Sequence, residues 1–308
     1  MNNSNKINWI GELINNSYAR ARKAWQNKDL QGFQHLAKLQ ADLGAKYINI
    51  NIDGTQMVQV NQQDMLDFLP ELIPAIQEVT SVPLSFDNPA YKFHEVAFKH
   101  YDFSKSGRPI LNSLAASREE LEPMIELIKA YDTLAILMAS EKFTTDGSAP
   151  CITAEDSYRT VKYFMEMLAN KANRKNEDII VDPGLAPVGA DTYGLVNIGL
   201  DTMKLIHNDA DLKGIHMSVG LSNFAWGTPK HVRLQLENAY LALGNPIGLD
   251  YALANPEKEP QPLDESNPLV GQLREALQQG RPLEGESQED AGFRQAEHIM
   301  EICMQDYD

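Results

Sequence analysis

The chain has 308 residues, with 43 acidic and 27 basic side chains and a formal net charge of −16. Hydrophobic residues make up 43% of the chain and charged residues 23%, a profile typical of globular proteins. The charge argues against a nucleic-acid-binding protein, which needs a basic surface, and against adsorption to anionic lipid.

The acidic charge is concentrated at the end of the chain. Residues 255–308 contain 13 acidic and 4 basic side chains, so they carry −9 of the net charge. The chain has two cysteines, Cys151 and Cys303, and their separation is unlike that of metal ligands. The N-terminal segment lacks the apolar core of a signal peptide, and no apolar run is long enough to span a membrane. We therefore expect a cytoplasmic protein with an acidic C-terminal segment.

Short apolar runs alternate along the chain with longer amphipathic segments. Runs of this length are typical of strands that helices cover on both faces. The runs predict eight strands, at residues 7–10, 47–50, 83–86, 109–111, 133–138, 179–181, 214–217 and 247–249.

Helical spacing of apolar residues fills the gaps between these strands. Ser117 followed by Glu120 predicts a capping box, and Pro229 after Thr228 predicts the first turn of a helix. A proline-rich stretch at 257–267 predicts a linker. The predicted helices span residues 31–43, 63–79, 88–100, 117–130, 153–173, 192–208 and 229–243, followed beyond the linker by 269–279 and 289–304.

Eight strands that alternate with helices predict a (β/α)8 TIM barrel, a fold of about 250 residues. We expect the barrel to occupy residues 1–254 and an acidic helical C-terminal extension to occupy residues 255–308. A doubly wound open sheet is the alternative. No GxGxxG motif follows the first strand, which weakens that alternative.

Small polar residues follow most of the predicted strands. In a TIM barrel such residues line the mouth of the pocket, at the carboxyl ends of the strands. Any one of them could equally be a helix cap. Taken together they predict a pocket at the strand ends, to which the sequence offers Asn49, Asn51, Asp53, Asp87, Asn88, Asn112, Ser113, Asp182, Gly220, Ser222, Asn223 and Asp250.

The predicted pocket combines the carboxylates of Asp87 and Asp182 with the amides of Asn112 and Asn223. Carboxylates accept paired N–H donors, whereas amides both donate and accept. A pterin fits this set, because its 2-amino-4-oxo pyrimidine edge offers adjacent N–H groups and its ring oxygen and nitrogens accept hydrogen bonds. On these residues alone, a pterin is one of several possible heterocycles.

Six segments carry a more specific resemblance. They are WIGELINNS (9–17), YININIDG (47–54), LSFDNP (84–89), ILNSLAAS (110–117), IIVDPGLAP (179–187) and VGLSNFAWGTP (219–229). In this order they resemble the methyltetrahydrofolate:corrinoid methyltransferases of the pterin-binding TIM-barrel superfamily. The match covers residues 9–250 and leaves the acidic extension outside.

The resemblance implies a role for each matched residue. Asp87, Asn112 and Asp182 would hydrogen-bond the pterin ring. Asn223 would contact the ring near N5, the atom that carries the methyl group, and would be the catalytic residue, acting by hydrogen bonding because an amide does not titrate usefully. The full predicted pterin-binding set is Asp87, Asn112, Asp182, Gly220, Ser222, Asn223, Asn51 and Asn15.

The implied reaction moves a methyl group between a corrinoid and N5 of tetrahydrofolate. The Asp-x-His-x-x-Gly motif of corrinoid carriers is missing from the sequence, so we expect the corrinoid to arrive on a partner protein, contacted by loops such as 143–153 and 224–230. We expect no bound metal, since the histidines form no HExxH or HxH pattern. The resemblance also implies a homodimer. It leaves two pathways open, the acetyl-CoA pathway and the anaerobic demethylation of aryl methyl ethers or of methylamines such as glycine betaine. We favour a demethylation system, because the chain is longer than a minimal barrel.

Two other functions remain open on the sequence. One is dihydropteroate synthase, a related pterin enzyme that needs a Ser-Arg-Lys segment after the seventh strand for its diphosphate. This chain has Ser222-Asn223-Phe224 there and lacks both cations. The other is a folate- or pterin-binding protein without turnover.

Overall fold

Eight parallel strands form a nearly closed barrel in the structure, a computed structural model that describes residues 6–305. The barrel strands are β1 (Asn8–Asn15), β2 (Tyr47–Asn51), β3 (Leu84–Asp87), β4 (Ile110–Leu114), β5 (Leu134–Met138), β8 (Ile179–Asp182), β9 (His216–Met217) and β10 (Tyr251–Ala254). The sheet order is β10-β1-β2-β3-β4-β5-β8-β9. The predicted TIM-barrel fold is therefore confirmed.

The barrel closes between its seventh and eighth strands through a few backbone contacts. The Asp250 N–H donates to the Met217 carbonyl at 3.2 Å, and the Leu253 N–H donates to the Val219 carbonyl at 2.9 Å. Because β9 is only two residues long, the segment after it continues the pairing with β10, through a bridge between Gly220 and Leu253.

Helices form the outer layer of the barrel. Several begin at the side-chain caps that Asn and Asp favour; Asn61, for example, accepts the N–H groups of Gln63 and Asp64. The helices are α1 (Ala19–Asn27), α2 (Leu30–Asp42), α3 (Gln62–Val79), α4 (Tyr91–His100), α5 (Phe103–Ser106), α6 (Leu121–Ala130), α7 (Ala154–Ala172), α8 (Leu195–Asn208), α9 (Leu221–Phe224), α10 (Arg233–Gly244), α11 (Pro268–Gln279) and α12 (Gln288–Cys303).

The core has two parts, separated by the sheet. The larger lies between the strands and the helices, where alternate strand residues such as Ile48 and Phe86 are fully buried. The smaller fills the inside of the barrel and includes Ile10, Ile136 and Ile180. Burial on both faces explains why the strands are continuous apolar runs in the sequence.

The predicted position of the last strand was wrong. Residues 245–247 form a 3-10 turn, and the strand is Tyr251–Ala254. Leu249 is buried and makes one bridge to Met217, which explains why the run 247–249 resembles a strand in sequence. Asp250 therefore precedes the strand and lies at the foot of the barrel, where it contacts the His216 Nδ1 at 2.6 Å. We had predicted Asp250 at the carboxyl end of a strand, and this prediction was wrong.

Two predicted helix starts were also wrong. Helix α6 begins at Leu121 without a side-chain cap, and the N–H of Ser117 donates to Glu141, so Ser117 and Glu120 form no capping box. Helix α10 begins at Arg233, because Thr228 turns back to donate to the Ala225 carbonyl. Thr228 thus makes a contact within its own loop, whereas Ser117 bonds through its backbone N–H to Glu141, which lies 24 residues later.

The segment 141–150 is a two-stranded antiparallel hairpin, where the sequence predicted a loop over 143–153. Its strands are β6 (Glu141–Thr144) and β7 (Gly147–Pro150). It follows β5, so it stands at the carboxyl-end face of the barrel.

The predicted C-terminal helices are present and pack on the barrel. The Asn197 amide on α8 donates to the Leu277 carbonyl on α11 at 2.8 Å, and Gln295 on α12 donates to the Val188 carbonyl at 3.0 Å. Whether residues 255–308 form a domain of their own stays a prediction. Across residues 6–305, no helix combines the length and the apolar character needed to cross a membrane.

Candidate functional site

A cavity of about 470 Å³ opens at the carboxyl ends of the barrel strands. Its walls come from the ends of β3, β4, β5, β8 and β10 and from the segment after β9. The structure brings together five residues of the predicted site, which are Asp87, Asn112, Asp182, Gly220 and Asn223. Polar residues that lie far apart in the sequence thus surround one cavity.

Asp87 is fixed at the end of β3 by two amides from β2. The Asn49 and Asn51 Nδ2 atoms donate to its Oδ2 at 2.8 Å and 3.0 Å. Burial raises the pKa of Asp87, and the two amide donors act in the opposite direction. Within residues 6–305, no protein donor contacts its other oxygen. Asp87 can therefore accept one further N–H group from a ligand.

Asp182 is held differently, at the end of β8. Its Oδ1 accepts the Gly184 N–H at 2.8 Å, in a turn where Gly184 has a φ of 84°. Burial raises the pKa of Asp182 to about 6, with a smaller contribution from the charge of Asp87, while the Gly184 N–H lowers it. Neither oxygen receives a side-chain donor from the described part of the chain. This carboxylate is free to accept a pair of N–H groups.

Asn112 lies on β4 between the two carboxylates and is 8% exposed. Its Nδ2 is 3.4 Å from the Asn49 Oδ1 and 3.5 Å from the Ser85 Oγ. Both contacts are longer than an ordinary hydrogen bond. The amide is thus held only weakly by the protein, and a ligand could replace these contacts.

Asn223 is carried by α9, the single helical turn that follows β9. A β-carbon on Gly220 would lie 2.8 Å from the Asn223 Nδ2, closer than ordinary van der Waals contact. The amide therefore occupies the space that glycine leaves open. This geometry explains why a glycine precedes the turn at a position whose φ is an ordinary −76°.

For the methyl transfer that the sequence resemblance implies, we expect Gly220→Ala to lower the rate about tenfold or more, because the new methyl group must displace the Asn223 amide from its present position. Stability should change little, since the side chain that moves is flexible at its end. The measurement is a turnover assay, with thermal unfolding in parallel. Gly271→Ala is the matched control, because a β-carbon there meets open space. Wild-type turnover in Gly220→Ala would contradict this reading.

Three residues of the predicted set do not line the cavity. The Ser222 hydroxyl points away and donates to the Glu12 Oε2 at 3.2 Å. Asn51 reaches the site through Asp87. Asn15 pairs with Asn51 between β1 and β2, and its Oδ1 accepts the Ser17 N–H. Their assignment as pterin ligands stays a prediction.

Two residues near the cavity were not predicted from the sequence. Arg118 lines it, and its guanidinium donates to the Ser113 carbonyl at 2.9 Å and to the Ser113 Oγ at 3.0 Å. Its only sequence signal is its place in the segment after β4. Glu12 lies in β1, inside a matched motif, but a single acidic residue in an apolar run gave no sign of its contact with Ser222.

Potential metal ligands do not cluster in the described residues. Over 6–305, no group of three or more His, Cys, Asp and Glu side chains is arranged to hold a metal ion.

Comparison with known proteins agrees with the fold. The family model described as "Pterin binding enzyme" matches residues 11–253. The chain therefore belongs to the pterin-binding enzyme family. A curated relative, the methylcorrinoid:tetrahydrofolate methyltransferase of Eubacterium limosum, is 24% identical over 249 residues, which cover 80% of this chain and 84% of the relative. Its name is in line with the predicted resemblance.

Solved structures of dihydropteroate synthases share the fold. The Yersinia pestis enzyme in a sulfonamide complex is 18% identical, with a TM-score of 0.58 and coverage of 88% of this chain and 95% of that one. The Coxiella burnetii enzyme in complex with pteroic acid is 19% identical, with a TM-score of 0.55 and coverage of 80% and 87%. At these identities the comparison concerns the fold alone.

Proposed function

We propose that this protein transfers a methyl group between a corrinoid held by a separate protein and N5 of tetrahydrofolate. The observation that carries the proposal is the convergence of Asp87, Asp182 and Asn223 on one cavity at the barrel mouth. Membership of the pterin-binding enzyme family and the name of the Eubacterium limosum relative support it.

The two carboxylates suit different parts of a pterin. Asp182 has both oxygens free of side-chain donors, so it fits the adjacent 2-amino and N3–H groups. Asp87 has one oxygen occupied by Asn49 and Asn51, so it fits a single ring N–H. Asn112 can donate to a ring nitrogen. In this arrangement the remaining edge of the pterin, with N5, faces Asn223.

The chemistry at N5 explains the need for an amide there. When tetrahydrofolate is methylated, the N5 lone pair attacks the methyl group, the cobalt–carbon bond breaks with its electron pair left on the corrinoid, and the N5 proton passes to solvent. In reverse, the methyl group passes to the reduced corrinoid, the N5–methyl bond breaks with its electron pair left on N5, and N5 takes up a proton. Asn223 can strengthen a hydrogen bond to N5 as its charge changes, and as part of a fixed turn it needs no reorganisation.

Dihydropteroate synthesis is less well supported, because a diphosphate requires cations. Among the residues that line the cavity in the described structure, Arg118 is the one cation, and Ser113 already holds it. An assay with three arms separates the possibilities. We expect methyl transfer with methylcobalamin and tetrahydrofolate, and no product from a pterin diphosphate and 4-aminobenzoate. Tetrahydrofolate binding without either product would indicate a binding protein.

The proposal includes a partner and a setting. The corrinoid protein must cover the barrel mouth, and the protein would work in the cytoplasm, as a homodimer, on the tetrahydrofolate side of an anaerobic demethylation system. The segment 224–230 and the hairpin β6–β7 stand at the mouth and are available for such contact. Trp226, three residues after Asn223, is 70% exposed.

We expect Trp226→Ala to raise the KM for the corrinoid protein about tenfold without changing the dissociation constant of tetrahydrofolate, because exposed tryptophans are frequent anchors of protein interfaces. Steady-state kinetics with varied corrinoid protein measures the effect. Leu43→Ala is the control, since Leu43 is also exposed (38%) but follows α2 at the opposite end of the barrel. An unchanged KM in Trp226→Ala would show that Trp226 does not contribute to binding of the corrinoid protein.

A further inference from the structure

Glu12 is a buried carboxyl group for which the proposed chemistry has no use. It lies in β1 and is 4% exposed. Its Oε1 accepts a hydrogen bond from the Tyr18 hydroxyl and its Oε2 accepts one from the Ser222 hydroxyl at 3.2 Å. Burial raises the pKa of Glu12, whereas these two donors and the charge of Lys258 lower it. A buried acid that faces two hydroxyl groups requires a structural or functional reason.

The contact with Ser222 connects Glu12 to the turn that carries Asn223. Helix α9 has only four residues, and so short a helix is not stable by its own backbone bonds. It depends on side-chain anchors. Leu221 and Phe224 are fully buried, and the Phe224 ring packs on Tyr240 with ring centroids 4.6 Å apart. The Ser222 hydroxyl supplies the polar anchor, on the side that faces β1.

A second buried acid and one cation lie near Glu12. Glu237 on α10 is equally buried and lies 3.5 Å from the Lys258 Nζ. Lys258 belongs to the turn after β10, whose neighbour Glu257 contacts Arg20 on α1. The start of the C-terminal extension thus provides a cation whose charge acts on both acids.

We propose that Glu12 is a positioning residue, which holds the Asn223 turn in its orientation through the Ser222 hydroxyl. The inference rests on the proposed methyl transfer. It also explains why Ser222, next to Asn223, points away from the cavity. Glu12 itself does not line the cavity.

The test compares Glu12→Ala, Glu12→Gln and Glu237→Gln in the full chain, with tetrahydrofolate and free methylcobalamin. We expect Glu12→Ala to lower kcat about 10- to 100-fold, because small displacements of an aligned group cost this much. The dissociation constant of tetrahydrofolate should stay within about twofold, since Asp87 and Asp182 are untouched. Glu12→Gln should recover most of kcat, as its amide can still bond to both hydroxyls. Glu237→Gln, in the same cluster but with no hydrogen bond to the turn in the described residues, should behave like wild type.

A second readout does not depend on turnover. In protein labelled at asparagine, the Asn223 side-chain amide is assigned by its loss in Asn223→Ala, and Glu12→Ala should shift or broaden it. If Glu12→Ala does not fold, Ser222→Ala removes the same hydrogen bond from the other side and should give the same loss of kcat and the same spectral change. An inactive wild type would refute methyl transfer, while the amide signal would still test Glu12.

Three results would overturn the inference. The first is wild-type kcat and an unmoved Asn223 amide in Glu12→Ala, or in Ser222→Ala where that variant replaces it. The second is an equal loss in Glu12→Gln and Glu12→Ala, which would point to the charge of Glu12 and not to its hydrogen bond. The third is an equal loss in Glu237→Gln, which would indicate a general effect on the stability of the cluster.

Discussion

Asp182→Ala is expected to abolish measurable binding of tetrahydrofolate. The carboxylate accepts two N–H groups in the proposed complex, and hydrogen bonds to a charged group contribute about 1.5–3 kcal/mol each. Losing both raises the dissociation constant by roughly 100-fold or more. Calorimetric titration measures this directly. Asp182→Asn should bind nearly as weakly, because its amide NH₂ group is a donor and would face the N–H donors of the pterin.

Asp250→Asn is the control for this substitution. Asp250 also adjoins a barrel strand, but at the foot of the barrel, where it contacts His216 and the N–H of Met217. Its replacement should leave tetrahydrofolate affinity unchanged. Wild-type affinity in Asp182→Ala would show that the pterin edge is bound elsewhere.

Acidification should reproduce part of the loss of tetrahydrofolate affinity that we expect for Asp182→Ala. The Asp182 carboxyl has a pKa of about 6, so below pH 6 it becomes protonated and stops accepting a donor pair. Affinity should fall about tenfold per pH unit there. The stability of the fold should respond in the opposite direction. Burial disfavours the charged form of Asp182, so the ionised carboxylate lowers the free energy of unfolding. This destabilisation is complete above pH 6 and is relieved as the pH falls towards 4. Affinity that stays constant from pH 7.5 to 5 would contradict the assignment.

Asn223→Ala is expected to lower kcat about 100-fold and to leave the dissociation constant of tetrahydrofolate within about threefold. In the proposed reaction its amide stabilises the change of charge at N5, which occurs only during transfer, and removing one such preorganised donor typically costs 100- to 1,000-fold. Rapid-mixing kinetics with saturating tetrahydrofolate isolates this step.

Asn223→Gln provides the comparison for this variant. It retains the amide group but moves it outward by one methylene, so it should recover little activity if position is decisive. A fall in affinity that matches the fall in kcat would mean that Asn223 binds the ground state as well as the transition state. Full turnover in Asn223→Ala would remove the N5 assignment.

The barrel could be predicted because most of its strands are recognisable as short apolar runs in the sequence. Strands buried on both faces are short apolar runs, such as the one that ends at Asp87 or at Asp182, and each is followed by a polar residue. The last strand could not be placed in this way. Leu249 is as buried as a strand residue, although the regular pairing begins only at Tyr251. Burial and strand pairing differ there, and an apolar pattern reports only burial.

The cavity was predictable for a similar reason, and its inner contacts were not. Parallel strands bring their carboxyl ends to one face, so Asp87, Asn112 and Asp182 had to lie near one another. The direction of a side chain within a turn depends on partners elsewhere in the chain. Ser222 turns towards Glu12, which is 210 residues away in sequence. No local signal in either segment indicates this pairing.

The central claim is tested most directly by following the methyl carbon itself. The protein is mixed with ¹³C-methylcobalamin and tetrahydrofolate without oxygen, and the methyl resonance is observed by NMR. The claim predicts that the signal moves from the cobalt-bound position to that of 5-methyltetrahydrofolate, at a rate that Asn223→Ala reduces about 100-fold. A methyl signal that stays on cobalt while tetrahydrofolate is bound, with free cobalamin and with corrinoid protein alike, would contradict it.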